Sequence, residues 1–563
     1  MGQLLKETIS IKGKSLKKSL DMASKDPYSH QKNLLLNILK NNANTEYGQK
    51  HNFFKINSVT DYQKNVPINE FKDLEPYIEK IKNGDKNILT SNMPFMFNLT
   101  SSTSAKSKYI PVTKEMQIQT TNLMHQWLYR SLLDHPGFLN SSSFLITSAA
   151  VEGETESGIP YGSISGMIYK TLPQILHSSY VVPFAVADIQ DYDLKYYIIA
   201  RLAMETDVSF IATPNPITLI RIAEVGIKYQ EEIIHCIQKG ILSEKINFND
   251  YEKNINIINQ INRLLVPNPN KAEFLRNIIK NNKILLPYLY WPNLQLIGCW
   301  LGGSVGFHAD KLSEYFGKEL PMRDLGYLAS EGVCSIPYKD NTPSGILALE
   351  NNYYEFIHED QIGLDTPDIL LCHELKCGEN YNIILTNESG LYRYNIGDII
   401  QVQELYNKSP VIAFIRKNNE MLNITGEKLH VNHLLETFNR IRSRTNIGVS
   451  QFRVVPNFSK ACYDIYIAID TAVHIEKLKE VFFPLIDDYL IDINIEYKNK
   501  RKSKRLNSPC FHLMKPCWEE HLKSILIQSG RRDIQYKWVV MSPEPIDLDR
   551  QYIDCTILTD DDF

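Results

Sequence analysis

Nine residues from Thr100 to Lys108, T-S-S-T-S-A-K-S-K, bring six hydroxyl side chains and two lysines together directly after an apolar run ending at Leu99. Hydroxyls and loop amides donate to phosphate oxygens, and a lysine ammonium supplies the charge that a triphosphate needs neutralised. The stretch is not a Walker A loop, because G-x-x-x-x-G-K-[ST] occurs nowhere in the chain. On its own it reads equally as a plain Ser/Thr turn. Further along, Gly326 to Gly332, G-Y-L-A-S-E-G, places an aromatic ring, a hydroxyl and a carboxylate within five residues. That set suits a base and a metal-bound triphosphate, although a Gly-bounded turn is its plain alternative. In Leu391 to Asp398, L-Y-R-Y-N-I-G-D, a carboxylate after a Gly turn can accept both hydroxyls of a ribose or simply cap the turn. Phe414 to Lys428, F-I-R-K-N-N-E-M-L-N-I-T-G-E-K, and Gln535 to Lys537, Q-Y-K, add cations. Together these stretches describe a nucleotide site completed by a mobile lid.

Positioning such groups takes a layered scaffold. Residues 1 to about 95 read as polar helices, amphipathic around 15–24 and 31–41. Met116, Thr120, Leu123, Trp127, Leu128 and Leu132 recur at helical spacing, which predicts a helix over Thr113–Leu133. Ser143–Ser148 and Val208–Ala212 have the length and composition of buried strands, as does Leu294–Leu301, and helical patterns lie between them. This alternation predicts an α/β domain. Ile383–Phe414 is rich in strand signals, and R-K-N-N at Arg416–Asn419 interrupts the pattern. Beyond it, Tyr463, Ile465, Ile467 and Ile469 alternate as a strand, a helix runs to about Tyr489, and Ile491–Tyr497 reads as a further strand. The expected domains are therefore residues 1–416 and a small α+β domain over 417–563.

A chain of 563 residues exceeds one ordinary core, and 43% hydrophobic with 22% charged residues is a globular composition. A formal net charge of -4 offers no global attraction to nucleic acid or anionic membranes, so neither is expected as a partner. Nine scattered cysteines point to free thiols in a reducing compartment. The N-terminus lacks a signal-peptide core, and no apolar run is long enough to span a bilayer. A cytoplasmic monomer is expected, in a bacterium or, for a pathogen, in a host cytosol.

The ordered set T-S-S-T-S-A-K-S-K, Y-L-A-S-E-G, Y-R-Y-N-I-G-D and F-I-R-K-N-N-E-M-L-N-I-T-G-E-K resembles the auxin-responsive Gretchen Hagen family of acyl acid-amido synthetases, within the adenylate-forming superfamily. A-V-E-G at Ala150–Gly153, G-I-P-Y-G-S-I-S-G at Gly158–Gly166, D-Y-D-L-K-Y-Y at Asp191–Tyr197 and I-A-T-P-N-P at Ile211–Pro216 look like its bacterial branch. The resemblance runs from about residue 30 to the end. It implies an α/β fold, with a large adenylate-forming N-terminal domain of β-sheets flanked by helices and a small α+β C-terminal lid domain. It also implies an ATP- and Mg2+-dependent ligase that adenylates a small carboxylic acid and passes the acyl group to an amine, usually an amino acid. By the same resemblance Ser101, Ser102, Thr103, Ser104, Lys106 and Lys108 hold the triphosphate, Tyr327 faces adenine, and Ser330 meets the nucleotide. Glu331 binds magnesium, Asp398 holds the ribose, and Arg416 contacts ribose or phosphate. Lys428 and Lys537 belong to the lid, Lys537 reaching the phosphate during adenylation. Gly303 and Ser304 fall in the wall of the nucleotide pocket, and Leu123, Met124, Trp127 and Tyr161 are candidates for the acyl pocket. The chain departs from the family at Ser102, Ala105 and Leu328, where glycine is usual, at Ser107, where proline is, and at Trp538 and Val539. Glycine permits positive φ and close backbone approach to phosphate, so these changes bear on loop freedom.

Other readings remain open at this level. G-G-S-V-G at Gly302–Gly306 fits a nucleophile elbow, which would make Ser304 the nucleophile of a serine hydrolase. That leaves Glu331, Asp398 and the hydroxyl stretch without roles. An acyl-CoA ligase shares the first half-reaction, and a degenerate nucleotide-binding or interaction module is the non-enzymatic alternative. Cys372, His373, Glu374 and Cys377 lack a second pair at zinc spacing. The basic run K-N-K-R-K-S-K-R at Lys498–Arg505 reads as a solvated loop, and Asp560–Asp562 as a frayed tail.

Overall fold

The computed structural model describes the chain apart from residues 1, 101–107, 147–149, 164–165, 168–178, 190, 245–253, 304–308, 419–420, 426, 471–472, 504, 529–537 and 559–563. Two compact units emerge: Met1–Ile396 with Ile400–Phe414, and Gly397–Ile399 with Ile415–Phe563.

The first unit opens with helices at Gly2–Ala23, Pro27–Asn41, Val59–Asn65 and Phe71–Lys82. Their starts are written locally. Asp26 accepts from the Ser29 amide ahead of a proline in the first turn, and Ser58 accepts from the Asp61 amide. The helix expected over Thr113–Leu133 spans Lys114–Asp134, and Thr113 caps it by accepting from the Met116 amide.

Strands β1 (Met96–Thr100) and β2 (Lys108–Val112) form an antiparallel hairpin, with Thr100 opposite Lys108. β3 (Ser142–Leu145), β6 (Val208–Ala212), β7 (Leu296–Gly298) and β8 (Met322–Arg323) make a four-stranded parallel sheet in that order. β4 (Gly153–Glu154) and β5 (Pro160–Gly162) extend the hairpin into a second sheet of order β2-β1-β5-β4. The parallel crossovers carry helices: Tyr192–Glu205 between β3 and β6, Pro216–Lys228 among those between β6 and β7, and Ala309–Phe316 before β8. Parallel pairing requires such crossovers, and the unbroken burial of Val208–Ile211 is that of a parallel strand covered on both faces. The α/β expectation therefore holds.

A short hairpin pairs β9 (Leu328–Ala329) with β10 (Gly332–Val333). A seven-stranded sheet follows, of order β11 (Ser335–Ile336), β12 (Ser344–Leu347), β17 (Ser409–Lys417), β16 (Tyr394–Tyr406), β15 (Asn380–Asn387), β13 (Asn352–His358) and β14 (Leu370–Leu371). β16 and β17 lead out of the first unit. The N-terminal helices pack on this sheet around Tyr47, Tyr62, Tyr353, Tyr354 and Tyr392, all buried. Buried Gln31 stitches the layers, donating to the Leu349 and Asn352 carbonyls and accepting from the Tyr354 amide.

In the second unit β18 (Met421–Leu422) pairs with β19 (Leu429–His430), and β20 (Val449–Asn457), β21 (Cys462–Ile469), β22 (Cys510–Met514) and β23 (Ile553–Leu558) form a four-stranded sheet. Two expectations are corrected here. Ile491–Tyr497 is not a strand but the junction of the helices Phe483–Ile493 and Ile495–Lys502. Asn494 restarts the helix by accepting from the Glu496 and Tyr497 amides, so the alternating isoleucines straddle a cap. The basic run is not a solvated loop either: its first residues are helical, and Arg501 is 5% exposed. Arg501 pairs with Asp487 at 2.8 Å and donates to the Leu506 carbonyl.

Candidate active site

Ser330 and Glu331 occupy the tip of the β9–β10 hairpin, and two buried asparagines hold that tip by its backbone. Asn98 donates to the Ser330 carbonyl at 3.3 Å, and Asn387 donates to the Glu331 carbonyl at 2.8 Å. These clamps take main-chain oxygens, so they orient the Ser330 hydroxyl and the Glu331 carboxylate without engaging either. Asn98 lies on β1 two residues before Thr100. One strand therefore leads both to the Glu331 tip and into the hydroxyl stretch. Ser101, Ser102, Thr103, Ser104 and Lys106 lie outside the described residues, and residues 101–107 connect the paired ends Thr100 and Lys108. Lys108 places its Nζ 5.4 Å over the Phe71 ring.

Tyr327 begins the same turn. Its amide donates to Ser335 Oγ at 2.9 Å, and its ring sits 5.5 Å from that of Phe414, at the end of the first unit. Gly326 before it has φ +97°, and a Cβ there would lie 2.6 Å from the Ser335 carbonyl oxygen, so only glycine fits. Leu328, where the family usually has glycine, has no positive φ, and its side chain is exposed. A side chain at that position costs the turn nothing.

Asp324 organises this region and was absent from the sequence reading. One carboxylate oxygen accepts from the Leu301 amide at 2.7 Å and the other from the Gly326 amide at 2.6 Å, while its carbonyl accepts from the Trp127 indole at 2.7 Å. It thus ties the start of the Gly302–Gly303 turn to the Tyr327 turn. Burial pushes its carboxyl up to about 7, against the two amide donors, which favour the charged form. Gly302 closes the same surface, since a Cβ would meet Pro343 at 2.9 Å and the Phe414 carbonyl oxygen at 3.3 Å. Gly303 has φ +63°. Ser304 lies outside the described residues. The usable signal for Asp324 was D-L-G at Asp324–Gly326, a turn pattern masked by the motif after it.

The second unit holds a separate polar group. Gly397, at φ +74°, makes the bend before Asp398, whose buried carboxylate forms an ion pair with Lys417. Arg416 is also buried. His430 is pushed down to about 3, by burial first and then by the positive charges of Arg416, His433 and Lys428, which marks a cluster of like charge. Lys428 is exposed, its amide donating to Glu496 at 3.0 Å and its carbonyl accepting from Asn494 at 2.9 Å. The preceding Glu427 accepts from the Ile424 and Thr425 amides and the Thr425 hydroxyl. Burial works against its charge, but the Tyr463 hydroxyl and these donors hold it below the usual carboxylate range. Lys537 lies outside the described residues.

The four acyl-pocket candidates do not converge. Trp127 is buried against Phe210, their rings 5.7 Å apart, and Leu123 belongs to a separate cluster with Leu20, Ile336 and Val411. Met124 is exposed, and Tyr161 packs on Tyr109 in the β1 sheet.

The N-terminal domain of the GH3 family matches residues 16–322, and its central and C-terminal domains match 345–417 and 430–545. The chain belongs to the GH3 family. It is 26% identical over 449 residues to a jasmonoyl-L-amino acid synthetase of Nicotiana attenuata, covering 76% of each chain. Over 429 residues it is 27% identical to an indole-3-acetic acid-amido synthetase of Arabidopsis thaliana, 73% of this chain and 70% of that one. A 4-substituted benzoates-glutamate ligase of the same plant is 24% identical over 483 residues, 82% of each chain. Among solved structures, the GH3.15 acyl acid amido synthetase superposes with a TM-score of 0.82 at 20% identity, over 96% of this chain and 97% of that one. A 2-hydroxyisobutyryl-CoA ligase shares the fold at a TM-score of 0.54 and 11% identity, over 93% and 91% of the chains. The GH3 chain thus shares its fold with these two ligases. No helix among its described residues is long and apolar enough to cross a membrane.

Proposed function

We propose that this GH3 protein is an ATP-dependent acyl acid-amido ligase acting on a ring-bearing carboxylic acid and an amino acid. In the first step a carboxylate oxygen attacks the α-phosphorus of ATP, the bond to the bridging oxygen breaks, and pyrophosphate leaves an acyl adenylate. In the second, the amine nitrogen attacks the acyl carbon and AMP departs with the former carboxylate oxygen, giving the amide. The observation that carries the reading is the Ser330–Glu331 tip, clamped through its carbonyls by Asn98 and Asn387 on the strands that bear the hydroxyl stretch and the seven-stranded sheet. A carboxylate oxygen is the hard donor magnesium takes, so the buried Glu331 is the residue that would hold the ion. When bound, magnesium neutralises charge on the phosphates as the leaving group departs. In the first unit Tyr327 takes the adenine, Gly303 and Ser304 line its pocket, and Ser101–Ser104 with Lys106 and Lys108 take the phosphates. In the second unit Asp398 and Arg416 are offered to the ribose, and Lys428 and Lys537 to the phosphates. Asp398 already holds Lys417, so a ribose shares that carboxylate or displaces the lysine. The named relatives act on jasmonate, indole-3-acetate or 4-substituted benzoates, which supports a ring-bearing acid.

Pyrophosphate exchange into ATP, driven by a panel of aromatic and aliphatic acids, tests this reading. Glu331→Ala is expected to lower exchange by about 100-fold or more, from the several kcal/mol typical of a lost metal contact. No exchange with any acid, together with no heat of Mg-ATP binding, overturns it. Mass spectrometry after adding amino acids or coenzyme A then decides amide against thioester.

A further inference from the structure

On the four-stranded sheet of the second unit, Asp464, Cys510 and His512 bring a carboxylate oxygen, a thiol and an imidazole nitrogen within 4.8 Å of one another. Pairing dictates this. β21 and β22 run parallel with Asp464 opposite Cys510 and Tyr466 opposite His512, so alternate residues place all three side chains on one face. The His512 ring is stacked on Tyr466, with centroids 4.5 Å apart.

Two distances define the cluster. Cys510 Sγ lies 3.7 Å from His512 Nε2, and Asp464 Oδ1 lies 3.6 Å from the same nitrogen. The second is too long for a hydrogen bond. Both are close to the edges of a tetrahedron built on bonds of about 2.0–2.3 Å, roughly 3.3–3.8 Å. A nucleophilic relay would set the imidazole between thiol and carboxylate, one on each nitrogen. Here both converge on Nε2, and Nδ1 is 2.9 Å from Thr556 Oγ1 on β23. The other oxygen of Asp464 accepts from Asn457 at 3.0 Å. The imidazole and the carboxylate are thus each backed by an outer partner, the arrangement that orients metal ligands. The His512 and Asp464 side chains keep 12% and 16% of their surface exposed, which leaves an ion a way in.

We propose that Asp464, Cys510 and His512 form a site for a borderline-soft divalent cation of the zinc class, with water in the fourth position. A thiolate beside an imidazole selects zinc over magnesium or calcium, which take oxygen. The bound ion joins β21 to β22 and, through Thr556, braces β23. This site shares no residue with the groups offered to the nucleotide.

The test uses the full chain, stripped with a chelator and titrated with cobalt and zinc in the absence of nucleotide. One equivalent of cobalt gives a thiolate charge-transfer band with tetrahedral d–d bands, zinc bleaches both, and zinc raises the melting temperature. Cys510→Ser and His512→Asn lose the bands and one equivalent of metal. Thr556→Val keeps all three ligands and binds about 10- to 100-fold more weakly. Cys377→Ser, at an exposed cysteine of the first unit, changes nothing. The proposal is overturned if the parent gives no thiolate band, or if the band survives Cys510→Ser unchanged. Should Cys510→Ser fail to fold by circular dichroism, Thr556→Val decides: unchanged affinity overturns the site.

Discussion

Asp324 shows how one side chain can set two turns at once. Its two oxygens take the amides of Leu301 and Gly326, and its carboxyl rises from near 3.8 to about 7 because burial outweighs those donors. A folded-state value above the unfolded one means that the folded protein binds the proton more tightly. The resulting stability is fully present below about pH 4 and is lost as the pH rises through 7. Asp324→Asn removes that titration and turns an amide N–H toward one of the backbone donors, costing about 1–3 kcal/mol. Its cost should therefore be larger at pH 5 than at pH 8. Urea unfolding of parent and variant at both values checks this, and a constant difference would show that Asp324 does not titrate in that window.

At the scale of elements, turn chemistry decides where reactive groups point. Gly326→Ala forces a Cβ toward the Ser335 carbonyl at a φ that L residues rarely adopt. A loss of more than about 1 kcal/mol in stability is expected, together with a raised KM for ATP as the Tyr327 turn shifts. The control Leu328→Gly should leave KM unchanged, since Leu328 already has an ordinary backbone conformation. Asn494 plays the matching part in the second unit, capping the helix Ile495–Lys502 while donating to the Lys428 carbonyl. Asn494→Ala should cost about 1–2 kcal/mol by urea unfolding, and it should lower adenylation if Lys428 serves that step. The alternating isoleucines around Asn494 hid this junction, because period two and a helix–cap–helix boundary look alike over so short a run.

Across the first unit, stability depends on contacts between residues far apart in sequence. Arg393, within Y-R-Y-N, is buried and pairs with Glu355 at 2.9 Å, and it donates to the Gln63 and Val66 carbonyls at the end of the helix Val59–Asn65. Removing one partner of a buried pair strands the other, so Arg393→Met should destabilise the protein by about 3–5 kcal/mol in chemical unfolding. The arginine of that motif is thus a structural lock, and only Asp398 at its end belongs to the candidate site. Much was written in the chain itself: the α/β alternation, the helix started by Thr113, the buried run Val208–Ala212, and the family that the motifs resembled. Those signals are local, because caps, periodicity and short motifs act within a few residues. Only the tertiary structure brought Asn98 to Ser330, Trp127 and Leu301 to Asp324, Arg501 to Asp487, and Asp464 to Cys510 and His512. Such pairings depend on sheet register and on burial that turns a lone polar side chain into a clamp, and neither is encoded within any one window of sequence.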